Sequence, residues 1–161
     1  MDDRAHSFWV VLLTLFVALA LSVYPLPLWA RWFRPDWVVI AICFWVLFLP
    51  NRVGVGVAWL TGLAVDVLHG AYPGQHAFAL AVVAYFVQIS HQRLRMFGYR
   101  KQSVFVFSMV VIHLLLGQWV QNLVGVADIS LLLLAQALMS ALVWPLAHVA
   151  MTWLSYRFIV S

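Results

Sequence analysis

Residues Val53 to Gly70 read V-G-V-G-V-A-W-L-T-G-L-A-V-D-V-L-H-G, an apolar run that carries one acid near its end. As a helix it sets Gly54, Ala58, Gly62, Asp66 and Gly70 four residues apart, on a stripe that drifts by about 40° per step. Small residues on such a stripe open a groove where another backbone can approach closely. A carboxylate within a lipid-spanning helix costs at least ~2.5 kcal/mol by insertion scales, so Asp66 must face protein or water and find partners. The other helices are therefore expected to pack around this segment.

Composition places the whole chain in the same setting. Of 161 residues, 66% are hydrophobic and 9% charged, where a soluble domain carries roughly 25% charged residues. The expected class is an all-α integral membrane protein, a six-transmembrane-helix bundle forming one domain over 1–161. The spans fall at about 7–26, 37–49, 53–70, 77–89, 103–124 and 129–151. The net charge of +4 comes from cations in short loops beside apolar runs, which suits anionic lipid rather than nucleic acid. Cys43, the sole cysteine, lies inside an apolar run and reads as a packing residue, with no disulfide framework.

Asp2 and Asp3 outnumber Arg4 ahead of the first run, and that run continues past Ala18-Leu19-Ala20 towards Tyr24-Pro25. It reads as a retained span rather than a cleaved leader. Trp29, Trp32 and Trp37 bracket Arg31 and Arg34, so the loop after it should lie at the headgroup level. The second run, 37–49, reaches only about 20 Å against a hydrocarbon core of ~30 Å. It begins earlier, thins the bilayer, or packs inside the bundle. Pro50-Asn51-Arg52 closes a tight turn between spans two and three, and Pro145 is expected to kink the sixth helix or end its straight part.

Six spans put Arg4, Arg52, Arg93, Arg95, Arg100, Lys101 and Arg157 on one side and Arg31 and Arg34 on the other. Seven against two makes the first side, with both termini, cytoplasmic. Arg34, Asp36, Asp66 and His69 then share one depth at the outer side, and the expected ion pair is Arg34 with Asp66. Arg52 is about 21 Å of helix away from Asp66. The Asp66 site can tie two helix ends together, serve a ligand or proton, or meet a partner protein.

Gln118, Gln121 and Asn122, beside Gly117 and Gly125, fall in the outer half of span five, with Asp128 in the turn and Gln136 and Ser140 in span six. These amides read as bonds between helices or as the walls of an outward polar cavity enclosed by spans three, five and six. His113 reads as a core histidine, and His69 with His76 is a weak basis for a metal site. The segment 90–102, S-H-Q-R-L-R-M-F-G-Y-R-K-Q, interleaves Arg93, Arg95, Arg100 and Lys101 with apolar residues. It reads as a cytoplasmic interfacial loop that anchors on anionic lipid or docks a cytoplasmic partner. GxSxG, HExxH, CxxC and Gly-rich phosphate loops are absent, so no enzyme and no cofactor is expected.

Three stretches carry a family resemblance: R-P-D-W-V-V-I-A-I-C-F-W-V-L at 34–47, L-P-N-R-V-G-V-G at 49–56 and G-L-A-V-D-V-L-H-G at 62–70. With a W-P in the last helix, they resemble the Gram-negative rod shape-determining protein MreD family. The family's Arg-Pro-x-Trp falls on Arg34, Pro35 and Trp37, its Pro-x-Arg-x-Gly on Pro50, Arg52 and Gly54, and its Gly-x-x-x-Asp on Gly62 and Asp66. Where the family commonly has Leu-Gly after the third span, this chain has Pro73-Gly74.

The resemblance implies a non-enzymatic inner-membrane scaffold of the cell-wall elongation complex. It would bind MreC and act beside MreB, RodZ, RodA and its transpeptidase. It also implies a fold similar to the S subunits of energy-coupling-factor transporters, and with it the alternative of a substrate-binding subunit for a vitamin-type molecule. Those subunits use Ala-x-x-x-Ala on the first helix, where this chain has Ala18-x-x-x-Ser22.

Overall fold

The computed structural model describes residues 2–125 and 130–158, apart from the side chains of 2–4 and 32. Asp128, expected in the turn before the last helix, lies outside the described residues. Among the described residues six α-helices follow one another: α1 Asp2–Val23, α2 Trp37–Phe48, α3 Val55–His69, α4 Gln75–Met96, α5 Tyr99–Leu123 and α6 Leu132–Phe158. One 3-10 turn, Arg31–Phe33, precedes α2. No strand occurs among the described residues. By length and composition, Ala5–Val23, α5 and α6 can each cross a bilayer, while α2 and α3 are apolar but shorter. The chain is a helical membrane protein.

The centre is α2, not α3. Its sequence is apolar all round, as a helix enclosed on every side must be, and ten of its twelve residues are buried. It packs on α4, α1, α6 and α5, whereas α3 packs chiefly on α4. One-sidedness explains the difference: α3 buries Ala58, Thr61, Gly62, Val65 and Asp66 and leaves Trp59, Leu60, Val67 and Leu68 exposed. Trp45 of α2 and Trp144 of α6 are the largest fully enclosed side chains among the described residues.

The 90–102 segment is not a loop. α4 continues to Met96 and α5 starts at Tyr99, so only Phe97-Gly98 interrupts the helices. Gln102 explains how so short a break holds. Its Nε2 donates to the Leu94 and Phe97 carbonyls at the end of α4, 2.9 and 3.2 Å away, supplying partners that a helix C-terminus lacks internally. Its Oε1 accepts from the Trp144 indole N–H at 3.3 Å. α6 likewise runs through Pro145 as far as Phe158, beyond the 151 expected. Pro50–Arg52 does form a tight turn, with the Arg52 and Val53 N–H groups on the Leu49 carbonyl at 3.0 and 2.9 Å.

Candidate functional site

Asp66 occupies the last turn of α3 and is 2% exposed. Its partner is the N-terminus of α4. Oδ2 accepts the Gly74 N–H at 2.9 Å and the Ala77 N–H at 3.5 Å. Oδ1 accepts the His76 N–H at 2.9 Å and lies 2.8 Å from His76 Nδ1. The first N–H groups of a helix have no intrahelical acceptor and carry the positive end of its dipole. Asp66 therefore caps α4 from a different helix, supplying what Gly74, at the cap position without a side chain, cannot.

Two glycines make that reach possible. Gly70 ends α3 at φ +62 and Gly74 precedes α4 at φ +96, the left-handed region where a residue with a Cβ is strained. Gly62, one turn before Asp66, brings α3 onto the backbone of α4: a Cβ there would stand 2.3 Å from Ala77 Cα. Gly54 faces the Gln88 amide, 3.7 Å from where its Cβ would be, and Ala58 is fully buried. The small-residue groove is thus filled by α4 of the same chain. Gly70 belongs to the turn rather than to the groove.

The expected Arg34–Asp66 ion pair does not form. The Asp66 oxygens are taken by α4, and the Arg34 guanidinium donates to the Leu21 carbonyl at the end of α1. Partial burial lowers the Arg34 pKa, opposed by the nearby Asp36 carboxylate. Asp36 caps α2, with Oδ1 accepting the Val39 N–H at 3.3 Å and Oδ2 3.4 Å from His113 Nε2. Its own N–H donates to Ser140 Oγ at 2.8 Å, and that hydroxyl donates to the Gln136 carbonyl at 2.9 Å. A span-six serine thereby joins the start of α2.

These groups border a cavity of about 230 Å³ whose polar walls are Ser22, Arg34, Asp36, His69, His76, His113 and Gln136. The His76 ring stands between His69 and His113, with centroids 5.9 and 5.6 Å away. His69 faces the Val65 and Ser22 carbonyls with its two nitrogens, at 3.0 and 3.3 Å. All six helices contribute to the walls, with α1, α2 and α4 beside α3, α5 and α6. Gln118, Gln121 and Asn122 are not among the lining residues. No set of three or more His, Cys, Asp or Glu among the described residues could hold a metal ion.

The model for the family described as rod shape-determining protein MreD matches residues 3–152. The chain is also 32% identical over 146 residues to the rod shape-determining protein MreD of Haemophilus influenzae (strain ATCC 51907 / DSM 11121 / KW20 / Rd), covering 90% of each chain. The chain belongs to the MreD family. No solved structure matches it.

Several polar and small residues of the stretches that resembled MreD proteins act at helix ends. Arg34 holds the end of α1 and Asp36 the start of α2. Arg52 donates to Ser7 Oγ of α1 from the turn before α3, and Gly62 with Asp66 seats the start of α4.

Sequence reasoning assigned Arg95 to lipid or a docking partner. Instead its Nε and Nη2 donate to the Leu47 and Phe48 carbonyls at 2.7 and 2.8 Å, capping the C-terminus of α2. No signal in the sequence marked it out from Arg93, two residues before. Arg93 and Arg100 are exposed, and Lys101 lies 5.1 Å over the Phe97 ring, a cation–π contact at the end of α4.

Proposed function

We propose that this MreD-family chain is a non-catalytic inner-membrane scaffold of the rod complex, whose direct partner is MreC. MreB, RodZ, RodA and its transpeptidase assemble around that pair. One observation carries the reading: the chain matches MreD over nearly its whole length; beside it, Arg34 and Asp66 are spent on holding neighbouring helix ends. A protein whose polar groups are used to fix helix positions offers partners a rigid surface and no reactive group.

In this reading six helices span the membrane, with both termini cytoplasmic. Seven of the nine Lys and Arg residues then lie on the cytoplasmic side, in accord with the positive-inside rule. Arg93, Arg100 and Lys101 meet anionic lipid headgroups there, each adding about 1 kcal/mol of attraction. Partners dock on the lipid-facing sides of the outer helices, where α1 exposes Phe8, Trp9 and Phe16 and α6 exposes Leu138, Leu142 and Leu146.

The test is affinity purification of the full chain from native membranes in mild detergent, followed by mass spectrometry. MreC recovered in constant ratio, with elongation enzymes in lesser amounts, is the expected outcome. Recovery of ATPase subunits in place of MreC would overturn the scaffold and favour a transporter subunit.

A further inference from the structure

Two buried acceptors, one of them in the cavity wall, have no partner among the described residues. His113 is 6% exposed and its Nδ1 is enclosed without a hydrogen bond. Its Nε2 faces the Asp36 carboxylate at 3.4 Å. In the neutral ring the proton belongs on the nitrogen facing the acid, which leaves Nδ1 as a lone pair in need of a donor. Gln75, the residue before His76 and 3% exposed, leaves Oε1 in the same condition. Buried polar atoms are nearly always satisfied, so each orphan calls for a group the described residues do not supply.

The remaining walls narrow what that group is. Arg34 and Asp36 cancel in charge, and Asp66 has its oxygens taken up by four contacts to Gly74 and the start of α4 and lies outside the lining. A net anion or cation gains little there. Trp37, Val38 and Leu80 make part of the wall apolar, and a pocket with an apolar face and a few convergent polar groups is a ligand site rather than a water store. An indole beside hydrogen-bond acceptors matches a molecule with C–H on one face and hydroxyls around its edge. About 230 Å³ would otherwise hold about eight waters at ~30 Å³ each.

We infer that the cavity bordered by Arg34, Asp36, Trp37, His76 and His113 binds a neutral hydroxylated molecule of the sugar or polyol class, with one hydroxyl donating to His113 Nδ1. The molecule is either free or the headgroup of a lipid. The site is independent of the scaffold role, so either can fail alone.

Saturation-transfer NMR on the full chain in lipid nanodiscs tests this, with D-glucose and D-glucuronate as soluble probes. Glucose is expected to bind saturably, no more weakly than glucuronate, and His113→Phe should weaken it at least tenfold. Nanodiscs containing a monoglucosyl diacylglycerol separate the sources. Displacement of glucose assigns the site to a lipid headgroup, and undiminished glucose binding assigns it to a free molecule. Absence of saturable binding by glucose and glucolipid alike, leaving water as the only occupant, would overturn the inference. So would glucuronate binding tenfold tighter, or a folded His113→Phe protein that binds glucose normally. Should that variant not fold, ¹⁵N-histidine spectra of the unaltered protein decide: an Nδ1 resonance unmoved by saturating glucose is equally fatal.

Discussion

Gly62 and Ala77 hold α3 and α4 at backbone contact: a Cβ added to Gly62 would lie 2.3 Å from Ala77 Cα, 2.5 Å from its nitrogen and 2.7 Å from the His76 carbonyl carbon. No side chain stands between them to move aside. Gly62→Ala must therefore push α4 away and lengthen the Asp66 hydrogen bonds, a loss of about 2–3 kcal/mol. Gly56, in the same helix, has nothing within 4 Å of its Cβ position. Gly56→Ala should be neutral or add up to ~1 kcal/mol through helix propensity. Reversible unfolding in mixed micelles compares the two, and equal effects would refute the backbone contact.

Asp66→Asn keeps the shape but replaces one carboxylate oxygen by an NH₂ group facing N–H donors. A loss of about 2–4 kcal/mol is expected. A double-mutant cycle identifies the partner. Asp66→Asn with His76→Phe should depart from additivity by about 1–3 kcal/mol, while Asp66→Asn with Arg34→Gln should add within ~0.5 kcal/mol. Coupling between positions 34 and 66 instead would restore the ion pair that sequence alone suggests.

Arg95 and Arg93 differ by two positions and by purpose. Arg95→Ala removes two donors from the end of α2 and should cost about 1 kcal/mol. Arg93→Ala on the exposed side should stay within ~0.5 kcal/mol. The same unfolding assay reads both, and the ranking is what matters. Lysine at position 95 cannot reach two carbonyls from fixed fork geometry and should restore only part of the loss.

Thr14 accepts the Trp45 indole N–H at 2.7 Å, tying α1 to the central helix. Arg34, Arg52 and His69 also reach α1, whose surface is nonetheless largely exposed. Thr14→Val should cost about 1 kcal/mol. Amide exchange measured in detergent should rise along α1 before it rises along α2 or α4, and uniform acceleration would show that α1 is no weaker than the rest.

Topology is open to chemical labelling, because Cys43 is the sole cysteine and fully buried. The unaltered protein should resist maleimides until denatured. Asn51→Cys should react only with membrane-permeant reagent in intact cells, and Tyr72→Cys with impermeant reagent as well. The reverse pattern would invert the orientation.

The helices were legible wherever apolar runs met proline or glycine, as at Pro50 and Gly70. The close approach at Gly62 was legible in kind, though its occupant was not. Asp66 was recognised as needing partners, but those partners are mostly main-chain N–H groups of 74–77, which no side-chain pattern announces. The helical run through 90–96 was hidden because its polar residues suggested loop, while Gln102 and Arg95 act through carbonyls. Ser140 and His113 meet Asp36 across more than 70 residues of chain, a proximity set by packing alone.

Enclosure of α2 by four other helices has a consequence for what its hydrophobicity means. Lipid is not its solvent; Val, Ile, Phe and Trp side chains are. Its twelve residues have no bilayer thickness to match, so a thinner or thicker membrane exerts no direct force on them and acts instead on α1, α5 and α6. A hydropathy profile scores both kinds of helix alike, although one is dissolved in the membrane and the other in its own protein.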